Sequence, residues 1–446
     1  PAFGVLAYFL KYRLGIDWNP VLSGTDAFIM VVLASSWKEV SYNFVFFMAG
    51  LQAVPHSLIE AAAMDADPRF REISGNIVFP GFTAPKLHWV RAHEPRVAEK
   101  VDTVLLPKDY VRLRLTGDYA MDRAGGAGTV LFDLASRIWS SELLGMLDLD
   151  PTWFPPTFEG TEVTGTITAA AAASTGLRPG TPVVAGGGDQ AANAVGVGAV
   201  APGVVAMSVG TSGVVFAAAD RPVVEPAGRL HAFCHAVPGM WHLMGVMLSA
   251  AGSYKWFKET LAPDVTYDEL NRAAAEIRAG SGGLVFLPYL TGERTPHPDP
   301  LARGAFVGLT VRHRLGHMAR AVMEGVAFGL RDSVELMAAE MELGEVRVSG
   351  GGASSDLWLR IIADVIGLPV RVVGTAESAA HGAAMLAAVG AGAFTSVAEA
   401  CEAAVELGEF TEPGRDVAIY TDVYRVYRDL YPALSDSFHR LSGLDT

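Results

Sequence analysis

The chain has 446 residues, of which 50% are hydrophobic and 18% charged, so its composition excludes a disordered protein and its length suffices for two or three domains. The net charge of −14, without a long basic run, argues against nucleic acid as the main partner. Its two cysteines, Cys234 and Cys401, cannot form a disulfide framework, and a reducing cytoplasm is therefore the expected location.

The first apolar segment covers residues 26–53 and is predicted to form one helix. A membrane-spanning helix needs about 20 mostly apolar residues. This segment reaches that length only if Lys38 and Glu39 are accepted near its middle. Membrane contact by the N-terminal segment is therefore an alternative that the sequence does not favour.

A second helix is predicted at residues 55–66, because Pro55 suits a helix start and the alanines at 61–63 suit its propagation. The surrounding sequence, AGLQAVPHSLIEAAAMDA, resembles the cytoplasmic coupling loop of sugar-type ABC transporter permeases, although Ala66 stands where those proteins usually have glycine. The resemblance covers residues 1–73 and implies a helical fragment too short to form a transport path. A soluble pair of apolar helices is the alternative.

A strand and a glycine turn are predicted at residues 183–188, where Val183, Val184 and Ala185 lead into three glycines. Asp189 follows, at the point where a buried strand would emerge at the edge of a cleft. A carboxylate in that place can accept a proton from a substrate hydroxyl. A core strand with a tight turn and an aspartate N-cap is the alternative reading of the same residues.

The next strand enters a Gly-Thr-Ser-Gly turn. The amides and hydroxyls of this turn can bind phosphate oxygens without side-chain bulk in the way. The candidate residues are Ser208, Gly210, Thr211, Ser212 and Gly213. A base and a phosphate cradle so close in sequence suggest phosphoryl transfer to an alcohol.

Three residues that resemble metal ligands, His231, Cys234 and His235, lie in an alternating segment typical of a core strand. Structural zinc sites need about four ligands at suitable spacing, so no metal-binding residue is assigned. Farther along, Trp256 is expected in the core. Arg294 is expected to be a solvated loop charge, with a phosphate contact as the alternative.

Residues 346–373 have the pattern of a strand–helix–strand unit. The glycines at 350–352 allow a ligand to approach the backbone closely, and the start of a helix at 357–366 favours anions. Tight packing of helix on sheet would also require these glycines. The Ala- and Gly-rich helix that begins near Glu377 is expected to pack closely on its neighbours.

From Gly75 onward the chain resembles the FGGY family of carbohydrate kinases, and within it the xylulokinases. The matching motifs are NIVFPGFTAPKLHWVRAHEP, Gly186–Gln190, Ser208–Gly213, Gly304–Leu309 followed by His317–Glu324, and Val348–Ala353. The resemblance implies an α/β fold of duplicated ribonuclease H-like, actin-like ATPase domains around an ATP cleft. It places a first kinase domain at 74–200 and a nucleotide-binding domain at 201–446.

The resemblance also implies a reaction. ATP, with Mg²⁺, would phosphorylate a ketopentose, D-xylulose, to the 5-phosphate. Asp189 would be the general base and would contact the sugar together with Gln190. The turn at 208–213 would hold phosphate, and the adenosine would lie against Gly351, Gly352 and Ala353. A homodimer is a further expectation.

One family motif is missing from the chain. FGGY kinases open with a D-x-G-T-x-S motif that holds phosphate and magnesium, and no D-x-G-T string occurs in these 446 residues. The permease-like residues 1–73 stand where that motif belongs, so the first kinase domain is expected to be truncated behind a helical extension. The alternatives are a catalytically inactive nucleotide-binding remnant and a permease–kinase fusion at the membrane.

Overall fold

The computed structural model describes Met64, residues 67–374 and residues 378–444. Apart from Leu444, these residues belong to one compact unit. The helices predicted at 26–53 and 55–66 lie outside the described residues, except that Met64 is helical and buried.

The first helix, α1 (Pro68–Ser74), is fixed at both ends by its sequence. The Asp67 side chain caps its start, and Gly75 ends it with a left-handed φ of +74°. Phe70, which is 2% exposed, packs in a hydrophobic cluster with Leu131. This helix therefore shares a core with the residues that follow it, although the sequence placed most of it in the permease-like fragment.

Residues 83–200 form short elements and three two-stranded sheets. The helices are α2 (Thr83–His93), α3 (Pro95–Ala98), α4 (Pro107–Thr116), α5 (Arg123–Ala127), α6 (Ser141–Met146), α7 (Ala169–Thr175) and α8 (Asp189–Gly196). The strands are β1 (Met121–Asp122), β2 (Phe132–Asp133), β3 (Ile138–Trp139), β4 (Thr157–Phe158), β5 (Val163–Thr166) and β6 (Pro182–Val184). Strand β1 pairs in parallel with β4, while β2 with β3 and β5 with β6 are antiparallel.

A seven-stranded sheet organises the rest of the chain, in the order β15-β14-β13-β7-β8-β10-β9. Its strands are β7 (Val205–Val209), β8 (Gly213–Ala219), β9 (His231–Cys234), β10 (Trp241–Met247), β13 (Val346–Ser349), β14 (Val370–Val373) and β15 (Leu407–Thr411). A separate two-stranded antiparallel sheet is formed by β11 (Val285–Leu287) and β12 (Ala305–Val307). The central strands β7, β13 and β14 are parallel to one another. They are rich in buried valine, as expected for strands covered on both faces.

The helices of this part of the chain lie between and after these strands. They are α9 (Ala251–Leu261), α10 (Tyr267–Ala275), α11 (Leu315–Ala338), α12 (Asp356–Ile366), α13 (Ser378–Gly390), α14 (Val397–Ala404) and α15 (Val417–Ser442). The long helix α11 is buried along most of its length and packs against α10, α12 and β11.

The predicted strand–helix–strand unit is confirmed as β13, α12 and β14, with Ser355 capping the helix. The predicted close packing of the Ala/Gly-rich helix is also confirmed, because α13 lies directly against α8. A Cβ atom on Gly382 would overlap the carbonyl oxygen of Ala192, and one on Gly196 would overlap that of Ser378. Within the described ranges, no helix has the length and apolarity that crossing a lipid bilayer requires.

Candidate active site

Two predicted ligand-binding turns meet at one edge of the seven-stranded sheet. Strands β7 and β13 are parallel neighbours, with Ser208 opposite Ser349, so the turns that follow them leave the sheet side by side. Together they line a cavity of about 470 Å³, to which Gly210, Thr211 and Gly351 contribute. The structure thus brings together the two turns that the sequence assigned to phosphate and adenosine. We call this cavity the cleft.

The β7–β8 turn, which contributes Gly210 and Thr211 to the cleft, has free backbone amides. The carbonyl oxygens of Gly210 and Thr211 accept hydrogen bonds from the amides of Ala251 and Ala250, at 2.8 and 2.9 Å, which holds the start of α9 against the turn. Within the described part of the chain, the amides of Thr211 and Ser212 donate to no acceptor. Two adjacent free N–H groups in a turn can bind an anionic oxygen.

The glycines after β13 have different roles. Gly350 has a φ of +91°, and a Cβ atom on Gly352 would lie 2.5 Å from a side-chain carbon of Val209, so both are required for packing on β7. Nothing lies within 4 Å of a Cβ atom built on Gly351, which faces the cleft. Ala353 is buried behind it. Among these residues, a ligand therefore has room to contact the backbone at Gly351.

Another part of the cleft lining is aromatic and was not assigned from the sequence. The ring of Tyr254 lies 6.0 Å from that of Tyr267 and 5.5 Å from that of Trp358, and its hydroxyl donates to Asn271 Oδ1 at 2.9 Å. Burial raises the pKa of Tyr254, so it stays neutral. Lys255 adds a cation at the rim. The available signal was the spacing Tyr267-x-x-x-Asn271, which puts both side chains on one face of α10.

Asp189 and Gln190 begin α8 and do not line the cleft. Asp189 is exposed, and its Oδ1 accepts the amide of Gln190 at 2.8 Å. A helix begins here, as the sequence predicts, but its N-cap is Gly188 and not Asp189. The strand before it is not buried. Pro182 is exposed, and the two valines of β6 are half-buried in a two-stranded sheet. The prediction of a buried strand is therefore wrong.

Arg294 is not the solvated charge that the sequence favoured. It is half-buried, and its guanidinium carbon lies 4.5 Å from the centre of the Phe79 ring, within cation–π range. Its Nε atom is buried without a hydrogen-bond partner among the described residues. Desolvation lowers the pKa of Arg294. Trp256, by contrast, packs against the core beside Phe286, as predicted.

Comparison with known proteins identifies the family. The profile for the N-terminal domain of the FGGY family of carbohydrate kinases matches residues 53–196, and the profile for its C-terminal domain matches residues 205–391. The xylulose kinase of Escherichia coli K12 is 42% identical over 370 residues, which is 82% of this chain and 75% of that protein. The chain belongs to the FGGY family of carbohydrate kinases. It is a phosphotransferase that acts on a sugar hydroxyl.

Two further relatives agree with this assignment. The xylulose kinase of Bacillus subtilis 168 is 37% identical over 367 residues, covering 82% of this chain and 74% of that protein. A crystal structure described as a xyloylose kinase from Brucella ovis superposes with a TM-score of 0.80 at 41% identity, covering 85% of this chain and 78% of that one. The predicted two-domain, actin-like and ribonuclease H-like α/β fold of FGGY kinases is confirmed.

The C-terminal FGGY signature has a packing role in this structure. Arg320 and Glu324 on α11 form a buried ion pair at 2.8 Å, and the hydroxyl of Tyr420 on α15 contacts both. Glu324 also accepts the hydroxyl of Ser281 at 2.7 Å. These bonds fasten α11 to α15 and to the loop before β11. A buried pair of this kind depends on every partner being present.

The described residues of the cleft have features that suit a nucleotide. The free amides of the turn and the open position at Gly351 suit phosphate oxygens. Within the described ranges, no group of three or more His, Cys, Asp or Glu side chains could hold a metal. His231 and His235 lie on or beside the buried strand β9 and hydrogen-bond to Asn76 and to the Ala199 carbonyl, each at 3.0 Å.

Proposed function

We propose that the chain transfers the γ-phosphoryl group of ATP to D-xylulose, giving D-xylulose 5-phosphate and ADP. The observation that carries this proposal is the meeting of the β7–β8 turn and the Gly351 turn on one cleft. The choice of D-xylulose as the substrate rests on three relatives named xylulose kinase, which are 42%, 45% and 37% identical over 82%, 72% and 82% of this chain.

In this proposal the nucleotide occupies the cleft. The base would lie against Gly351 and the aromatic wall formed by Tyr254, Tyr267 and Trp358, where stacking and burial favour a flat ring. The phosphates would accept hydrogen bonds from the free amides of the β7–β8 turn, which stabilise negative charge without reorganisation. Mg²⁺ would neutralise charge on the phosphates, whose oxygens are among its usual ligands.

Asp189 would act as the general base. Its exposed carboxylate is free to accept the proton from the sugar hydroxyl while that oxygen forms a bond to the γ-phosphorus. The bond from the γ-phosphorus to the bridging oxygen breaks at the same time, and ADP carries away its electron pair. Gln190 would position the sugar beside the carboxylate.

A second candidate function, nucleotide binding without turnover, is favoured by the missing opening motif. No D-x-G-T string occurs in the sequence, and the strands described in residues 121–184 form only two-stranded sheets. We infer that permease-like sequence stands in place of those opening strands and ends before α1, which packs in the same core as Leu131. The first kinase domain, 74–200, would then be incomplete, while the nucleotide-binding domain, 201–446, would retain its ATP cleft.

The two functions are distinguished by measuring turnover and binding on the same purified chain. Release of ADP would be followed with D-xylulose, ATP and Mg²⁺, and ATP affinity would be measured by calorimetry. Kinase function predicts D-xylulose-dependent ADP release that is lost in Asp189→Asn. ATP binding without any such release supports the inactive form, and the absence of both contradicts the cleft assignment.

A further inference from the structure

A second cavity, of about 610 Å³, lies between α10, α12 and the beginning of α15. It is large enough for a small-molecule ligand. It shares no lining residue with the cleft, although the same two helices wall both cavities. Trp358 on α12 faces the cleft, whereas Ile361, one turn later, lines the second cavity. Nothing in the proposed phosphoryl transfer uses this cavity.

Four arginines line the second cavity, and three of them retain free donors. Arg320 is buried and held by Glu324 and Tyr420. Arg278 and Arg360 are exposed, and neither has an ion-pair partner in the part of the chain that the structure describes. Arg415 is almost fully exposed, with its nearest carboxylate 3.9 Å away. Guanidinium groups with free N–H donors bind phosphate in bidentate geometry.

Three carboxylates lie among these arginines and narrow the class of ligand. They belong to Glu276, Asp364 and Asp416. Asp364 is buried, accepts the amide of Gly414 and has its pKa raised by that burial. Carboxylates repel a ligand that is anionic throughout, but they accept hydrogen bonds from hydroxyl groups. A matching ligand therefore carries both a phosphate group and hydroxyl groups.

We propose that this second cavity is a binding site for a phosphorylated sugar. The phosphate group would be held by Arg278, Arg360 and Arg415, and the sugar hydroxyls by Asp364 and its neighbouring carboxylates. The site is separate from the ATP cleft and from Asp189, so its occupancy does not depend on catalysis.

The test is calorimetric titration of the full chain with D-ribose 5-phosphate, D-ribose and inorganic phosphate. We expect the sugar phosphate to bind, inorganic phosphate to bind at least about tenfold more weakly, and D-ribose not to bind. The double variant R278Q/R360Q should weaken binding of the sugar phosphate by at least about tenfold, because two charged donors are lost. Both side chains are exposed, so thermal unfolding of this variant should match that of the parent chain.

Two control variants locate the bound ligand. Arg178→Gln removes an exposed arginine elsewhere and should leave binding unchanged. Asp189→Asn should also leave it unchanged, which separates this site from the proposed active site. Unchanged binding in R278Q/R360Q, or no binding by the parent chain, would overturn the proposal. Equal affinities for inorganic phosphate and the sugar phosphate would overturn the assignment to a sugar.

Discussion

At the scale of single residues, alanine substitutions at two neighbouring glycines should have different effects, one on ATP binding and the other on stability. Gly351 faces open space, so Gly351→Ala should fold normally but place a methyl group in the cleft and weaken ATP binding. Gly352 abuts Val209, so Gly352→Ala should cost about 1–3 kcal/mol of stability through overpacking. Thermal unfolding and ATP titration of both variants check this pair. Unchanged ATP affinity in Gly351→Ala would mean that the nucleotide does not lie there.

Asp189 provides the second prediction at this scale. If it is the general base, Asp189→Asn should lower kcat by at least about 100-fold while ATP affinity stays close to that of the parent chain, since Asp189 does not line the cleft. Steady-state kinetics and calorimetry supply the two readouts. Asn keeps the size of the side chain, and thermal unfolding controls for folding. An unchanged kcat would show that another group accepts the proton.

At the scale of elements, the loop between β11 and β12 makes folding depend on pH. Glu293 on this loop is buried and accepts the amides of Leu248 and Arg294 at 2.9 and 2.8 Å, and burial raises its pKa from 4.5 to about 8. The folded chain therefore holds a proton that the unfolded chain releases. The stability from this group is complete below pH 4.5 and is lost as the pH rises through about 8.

Glu293→Gln removes that dependence while keeping an acceptor oxygen for both amides. Between pH 5 and pH 8, the parent chain should lose about 1–3 kcal/mol of unfolding free energy relative to the Glu293→Gln variant. Urea unfolding at the two pH values measures it. A difference that is the same at both pH values would show that Glu293 is ionised in the folded chain.

Helices α10 and α12 give a further prediction at this scale, because each contributes to both cavities. A ligand that orders these helices at one cavity should alter affinity at the other, and the coupling must be reciprocal. We expect saturating D-ribose 5-phosphate to change the Kd for ATP in the parent chain and not in R278Q/R360Q. An ATP affinity that is the same with and without the sugar phosphate would show that the helices do not couple the sites.

At the scale of the whole molecule, the structure locates the junction for a graft that tests the proposed truncation of the first domain. Helix α1 packs in the same core as Leu131, so a replacement should end before Asp67 and keep Pro68–Ser74. Substituting the residues ahead of Asp67 with the opening strands of a xylulose kinase relative should raise kcat at least about tenfold, because a phosphate- and metal-binding motif would be supplied. If the chimera and the parent chain have the same kcat, the D-x-G-T-x-S motif is not needed for turnover.

The sequence by itself determined the family, the reaction class and several local structures. The glycine turns, the strand–helix–strand unit at 346–373 and the helix starting at Asp189 follow from short-range rules, because φ restrictions, capping and hydrophobic period act within a few residues.

Only the tertiary structure decided which of those turns meet and which charges are buried. The pairing of β7 with β13, which are more than a hundred residues apart in sequence, places Gly210 beside Gly351. The aromatic wall of the cleft comes from α9, α10 and α12, and no local pattern marks those residues as neighbours. The same reason applies to Arg294, because the rings near its guanidinium group, those of Phe79 and Phe82, are far away along the chain. Side-chain burial depends on long-range packing, and a single sequence does not display that packing.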